Sequence, residues 1–201
     1  MDEVRVSSKE TRPGRLIVAH ILPKTDLMSG LLKICKEHNL KAGCIVTMLG
    51  GLAGARVLHP VLDPGSRIGI SYGDPVDIKG PLEVASGGGL IGVQESGELV
   101  IHLHGVLADV DKRVYTGHFV EGGSMVLSTL EVVIQETPDV EIVRSLHEET
   151  GFSHFKVYEK TGQEKGDRDA RGFRKRTNCD ARGRTTGNVP SEDQSRGQHG
   201  A

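Results

Sequence analysis

The 201-residue chain has no apolar run near the ~18 residues that a membrane-spanning helix needs. Its first residues, Met1-Asp2-Glu3-Val4-Arg5, lack the apolar core of a secretory signal. Cysteine is scarce. Cys35, Cys44 and Cys179 are far apart and show no paired-ligand spacing. That argues against a disulfide framework and a thiolate zinc site, and for a reducing, cytoplasmic setting. Cys35 and Cys44 then read as small buried side chains. No spaced glycine fingerprint opens a helix. Gly87-Gly88-Gly89 reads as a bend or bulge in a strand rather than a phosphate loop, and Gly50-Gly51 as a tight turn. Ser86, Ser124 and Ser128 lie in no nucleophile elbow, so no catalytic residue is assigned.

Charge of one sign is also missing, until the chain is divided. Residues 161–201 hold nine Lys/Arg against six Asp/Glu, a net of +3, and only six of these 41 residues are apolar. Such a stretch cannot bury enough surface to offset chain entropy, and it reads as a disordered polar tail. The preceding 160 residues carry 16 basic and 21 acidic side chains, a net of −5. An acidic domain is a poor partner for nucleic acid, whose affinity comes largely from phosphate neutralisation.

What is present is mostly strand pattern. Arg15 to Leu22 reads as a first strand, ended by Pro23. Asp26 then reads as an N-cap for an amphipathic helix over 27–38, with Leu27, Leu31, Ile34 and Cys35 at helical spacing. Strands are expected at 44–49, 55–62, 68–72, 82–85, 89–94, 98–107, 114–120, 125–135 and 155–158, separated by turn signals such as Asp63-Pro64-Gly65 and Glu121-Gly122-Gly123. Thr137-Pro138-Asp139 predicts a short helix over 140–147, with proline in its first turn. One helix followed by hairpins predicts an α+β domain. In it, a largely antiparallel sheet is packed by one main amphipathic helix and a short C-terminal helix.

Three of the nine histidines fall within seventeen residues. His102 and His104 are two apart in a strand-like run, Leu99 to His104, so they share a face. Asp109 to Lys112 reads as a turn, and His118 lies on the returning strand. With a loop of residues 109–112, His118 faces Leu103 on the wrong side. With one more loop residue, or a bulge at Gly117, it faces His104. In that second register three imidazoles converge within ~5–7 Å, a donor set that suits zinc at Zn–N of about 2.0–2.1 Å. Spacing alone leaves the register open. Asp109 and Asp111 are acid–base candidates that read more simply as turn residues. Glu131, in an apolar strand, reads as a metal-site helper, an interface ion pair or an exposed side chain. His20, His38, His59, His147, His154 and His199 carry no ligand spacing.

These residues resemble the plant and prokaryote conserved domain family, also called domain of unknown function 296. The likeness over 14–160 rests on Gly14-Arg15-Leu16-Ile17-Val18, on Cys44 to Ala55, and on Glu131-Val132-Val133-Ile134. Its strongest part is His102-Leu103-His104 with Leu107, Asp109, Asp111 and Gly117-His118. Gly51 stands where the family usually has serine, and Thr116 where it usually has glycine. The resemblance implies a domain over 14–160, which leaves an N-terminal extension over 1–13 and, beyond it, the compositionally distinct tail over 161–201. It also implies a homotrimer and a divalent metal, zinc, on His102, His104 and His118, which favours the bulged register. Plant members place the domain after AT-hook motifs. Here Arg12-Pro13-Gly14-Arg15 has a different order, and Arg182-Gly183-Arg184 is followed by Thr185 rather than proline.

Two functions follow as expectations. One is a metal-binding homotrimer with a regulatory or DNA-binding role. The other is a zinc-dependent enzyme whose open fourth position takes a small molecule.

Overall fold

The computed structural model describes residues 4–160. Its elements are β1 (Leu16–Ile21), α1 (Leu27–Glu37), β2 (Gly43–Leu58), β3 (Pro60–Leu62), β4 (Ile70–Tyr72), β5 (Val76–Gln94), β6 (Leu99–Asp109), β7 (Val114–Phe119), β8 (Val126–Glu136), β9 (Val140–Leu146) and β10 (Ser153–Glu159). Eight strands form one sheet in the order β1-β8-β2-β7-β6-β5-β9-β10, while β3 and β4 pair separately. β2 also pairs with β5, so β2, β7, β6 and β5 close into a ring. β9 runs parallel to β5, and the other neighbours are antiparallel.

This overturns the α+β expectation. The chain is mostly β, with a mixed sheet and, among the described residues, one helix of eleven residues. The expected second helix is strand β9. Val140 and Ile142 are buried while Glu141 between them is exposed, the period-two alternation of a strand. Two β-branched positions on that buried side pack better on a pleated surface than on a helix. The parallel partner β5 and the hairpin partner β10 then complete the hydrogen bonding that a helix would have supplied internally. Proline at the first turn was a weak signal beside that alternation.

The glycine breaks were also misleading. The expected strands at 44–49 and 55–62 are largely one sixteen-residue strand, β2, which runs straight through Gly50-Gly51. Gly50 has φ of +141°, and a Cβ there would meet the Thr129 carbonyl oxygen. Glycine lets β2 pass close to β8 rather than turn. Likewise 82–85 and 89–94 belong to one strand, β5, bulged between Val84 and Ser86. The bulge precedes the glycine triplet instead of falling within it.

Inside the ring lies the core. Met48, Leu52, Val57, Leu103, Leu107 and Phe119 are at most 1% exposed. Full burial of each such side chain stabilises by about 1.5–3 kcal/mol. Side chains of β6 alternate strictly, with Ile101, Leu103, Gly105 and Leu107 inward. His102 and His104 are thereby forced outward.

α1 is fixed at its start by Asp26. One carboxylate oxygen accepts from the Ser29 N–H at 3.1 Å, and the other accepts from the Ser124 N–H at 3.2 Å. Leu27, Met28, Leu31 and Cys35 face the core, and burial pushes the Cys35 thiol up to about 11. The segment before β1 is held by ion pairs of Arg5 with Glu149 and Arg12 with Asp139. The expected tail over 161–201, with Cys179 and His199, lies outside the described residues. Among the described residues no helix is long and apolar enough to cross a membrane.

Replacing Asp26 with alanine removes a helix cap and a tether to the 124–125 segment together. The expected loss is about 1–2 kcal/mol, seen as a lower urea midpoint with unchanged slope in circular dichroism.

Candidate metal centre

The β6–β7 turn decides where His118 goes. Asp109 N–H donates to the Arg113 carbonyl at 3.0 Å, and Lys112 N–H donates to the Asp109 carbonyl at 3.0 Å. The loop proper is therefore Val110, Asp111 and Lys112, with Lys112 at φ of 65°. A three-residue loop ending in a left-handed residue is a standard hairpin closure with its own built-in bulge. The Asp109 carboxylate locks it. Oδ1 accepts from the N–H groups of Asp111 and Arg113, each at 2.9 Å, and Oδ2 accepts from the Tyr115 hydroxyl at 2.9 Å. These bonds, that from the Arg113 N–H first, hold the Asp109 carboxyl below the usual range.

Register follows from that turn. Ala108 pairs with Val114, Gly105 with Gly117, and His104 with His118. The loop is one residue shorter than 109–112, with Asp109 opposite Arg113, and the pairing from Ala108 to His104 runs without a shift at Gly117. Gly117 serves packing instead, because a Cβ there would lie 2.6 Å from Cβ of Val57.

His102, His104 and His118 thus converge. Their ligand atoms all lie within 4.8 Å of one another, and among the described residues this is the one cluster of three or more metal-ligating side chains. The His102 and His104 rings stack at 4.8 Å and 4°. The His118 ring stands edge-on to both, at 4.7 Å and 5.2 Å. Nε2 of His102 is 3.0 Å from Nε2 of His104, which is 3.3 Å from Nδ1 of His118. Ligands of a tetrahedral zinc at 2.0–2.1 Å are separated by about 3.3 Å, so two of the three edges already match.

The surroundings of His102 and His118 disfavour their charged forms. Burial, then the His102, His104 and Arg144 charges, lowers His118 to about 4. Burial, then His104 and Arg144, lowers His102 in the same direction. Neutral imidazoles offer the lone pairs that a metal needs.

Two hairpin ends flank the cluster. The Tyr72 ring of β4 lies 5.7 Å from His118, and Phe152 meets Tyr72 edge-on at 5.7 Å. Phe155 of β10 lies 6.3 Å from His102. The loop after β3 is tied to the loop after β9, where Arg67 donates to the Glu148 carbonyl. A cleft of about 400 Å³ opens beside His104 and His118, lined also by Tyr72, Ser86, Gly87 and Gly88. Gly88 pairs with His104, so no side chain covers that imidazole from β5. The glycine triplet is strand, and its contribution is open space. No spacing in the sequence ties Tyr72, Phe155 or Arg144 to the histidines, because Tyr72 comes from the β3–β4 hairpin and Phe155 and Arg144 from the β9–β10 hairpin.

The other candidates lie elsewhere. Asp109 is five residues from His104 along β6, about 16 Å at strand rise. Asp111 pairs with Arg113 at 3.4 Å. Glu131 accepts from the Thr129 hydroxyl at 2.6 Å and stands 3.9 Å from Nε2 of His20. Together with Glu83, Asp109, Ser128 and Leu127, it lines a second cleft of about 510 Å³. That cleft is larger, but it holds no cluster of imidazoles. Ser124 is fully buried, and its hydroxyl accepts from the Arg56 N–H at 3.0 Å.

No curated protein matches this chain. Three solved structures share the fold. A metal-containing protein from Archaeoglobus fulgidus is 20% identical with a TM-score of 0.64, the match covering 75% of this chain and 99% of that one. A plant- and prokaryote-conserved protein from Pyrococcus horikoshii is 19% identical at 0.63, covering 75% and 97%. A protein from Bacteroides thetaiotaomicron, named for a suspected DNA-binding role, is 17% identical at 0.58, covering 74% and 98%. The model of the Plants and Prokaryotes Conserved (PCC) domain matches residues 8–138, well over half of the sequence, and the chain belongs to that family.

Proposed function

We propose that this protein is a homotrimeric metal-binding module that holds one divalent ion, zinc, on His102, His104 and His118. The observation that carries the reading is the convergence of three imidazoles at 3.0 and 3.3 Å, with a cleft beside two of them. Three protein ligands leave a fourth position open. A bound zinc there would supply Lewis acidity or an activated water. This chain contributes orientation: β6 and β7 aim the rings, and Gly88 keeps the approach clear. The cleft is also what a zinc-dependent enzyme would use for a small substrate, and that is the second reading. A metal-containing Archaeoglobus relative supports the first step of both.

Self-association is supported by the outer face of β1, β8 and β2. Leu16, Val18 and Leu49 are 61%, 73% and 51% exposed, and Leu127 is 49% exposed beside them. Pairing of Val18 with Val133, and of Val133 with Thr47, sets these strands side by side on one face. Exposed apolar side chains on one sheet face, with His20 and Glu131 among them, suit an interface. A suspected DNA-binding role belongs by name to the Bacteroides protein. If this chain has a DNA-associated regulatory role, the contact falls to the basic residues 161–201, because residues 1–160 carry a net of −5. The described cysteines, Cys35 and Cys44, are free thiols, which suits a cytoplasmic setting.

Metal analysis of the purified protein should find about one zinc per chain, and a His102→Ala/His104→Ala variant should have lost it. Equal zinc in both would end the assignment. Acid should weaken the metal-free protein through His118. Its folded pKa of about 4 lies below the unfolded value of about 6.5. The unfolded chain therefore binds more protons between these limits, and stability present above pH 6.5 is lost as pH falls toward 4. His118→Gln should flatten that slope in urea titrations at stepped pH. Sedimentation should give a trimer, and Val18→Asp with Leu127→Asp should give smaller species; a wild-type monomer at micromolar concentration would count against the assembly.

A further inference from the structure

Arg144 is set apart from the other arginines. Seven lie among the described residues. Arg5, Arg12, Arg15, Arg56 and Arg113 pair with carboxylates, and Arg67 donates to the Glu148 carbonyl. Among the described residues Arg144 has neither a carboxylate within ion-pair reach nor a hydrogen-bond acceptor, although it is partly buried. A guanidinium without a carboxylate partner is free to grip an oxyanion, for which its two parallel N–H groups are the best-shaped donors.

Sheet register sets Arg144 on the side of the histidines. Arg144 pairs with Phe155 across β9 and β10, and the Phe155 ring approaches His102. On β9, Arg144 shares its face with Ile142, two residues before it. Ile142 and Phe155 both lie against Gly92, where a Cβ would meet them at under 3 Å. Gly92 in turn shares its face with Leu90, the partner of His102. The positive charge of Arg144 accordingly bears on both His102 and His118.

We propose that Arg144 makes the histidine centre a receptor for a small oxyanion, a carboxylate or phosphate group, held by the guanidinium while one oxygen takes the open metal position. The proposal rests on the metal reading above, and it narrows the ligand class to anions. A cationic or purely apolar ligand would leave Arg144 unpaired, whereas an oxyanion satisfies the guanidinium and the metal together. The aromatic rings of Tyr72, Phe152 and Phe155 would border whatever the anionic group is attached to.

The test uses the full chain loaded with cobalt(II), whose visible spectrum reports changes in its ligands. Metal content is measured first in the wild type, Arg144→Gln and Arg144→Lys. Each is expected to hold one cobalt per chain. Absence of cobalt from the wild type would overturn the metal reading, and the anion proposal with it. The loaded proteins are then titrated at constant ionic strength with inorganic phosphate and, separately, with acetate. For at least one anion the wild-type spectrum should shift saturably, and the anion that acts tells phosphate from carboxylate. Arg144→Gln should bind that anion at least about tenfold more weakly, the scale of a lost charge-assisted pair. Arg144→Lys, which keeps the charge and loses the fork, should fall between and serves as the readout where Arg144→Gln does not fold. A wild-type spectrum unmoved by either anion overturns the proposal and leaves the metal reading standing. So does equal affinity in the wild type and the folded variants.

Discussion

The histidine centre depends on one carboxylate that never touches it. Asp109 accepts three hydrogen bonds, and two of them come from the backbone of its own turn. Those bonds stabilise a three-residue loop over the four-residue alternative. One residue of loop length is one residue of register, and in a strand that is the difference between two faces. With Lys112 in the left-handed region, His118 stands opposite His104 on the outside of the ring. Without it, His118 would point with Leu103 into a core that has no acceptor for an imidazole.

The histidine pair was legible because period-two alternation needs only neighbouring residues: inward Leu103 dictates outward His102 and His104. The third ligand was half-legible. Its register hung on a backbone conformation that lysine does not advertise, since positive φ is expected of glycine or asparagine. The register with His118 opposite His104 is the one found, but without a bulge at Gly117, because that glycine makes room for Val57 on the neighbouring strand β2. The same bias misread the fold. Glycine marks breaks in a sequence only when the chain must turn. In β2 and β5 it marks close crossings inside strands of sixteen and nineteen residues. The missed strand β9 has another cause. Its buried alternation is short, and its partner β5 comes from a distant part of the chain, so local reading gave proline more weight than it bears.

The sheet divides its labour by face and by end. Strands β1, β8 and β2 present apolar side chains outward. Strands β6 and β7 present imidazoles, and the β3–β4 and β9–β10 hairpins stand beside them. α1 packs beside β1 and β6, so it supports both regions without entering either. A surface suited to partners and a cleft suited to a ligand can then change independently.

Beside the three histidines stands Arg144, which has no carboxylate partner among the described residues. Burial and the Arg144 charge disfavour protonation of His102 and His118, while ring nitrogens of the three histidines stand within hydrogen-bond reach at 3.0 and 3.3 Å. A divalent ion turns the three lone pairs into bonds, but it adds positive charge beside Arg144 and sharpens the repulsion. An oxyanion removes that repulsion, because it is attracted to both charges at once. In the proposed centre an anion would therefore strengthen the hold on a metal that the three imidazoles already bind, and the site would be shared between three strands.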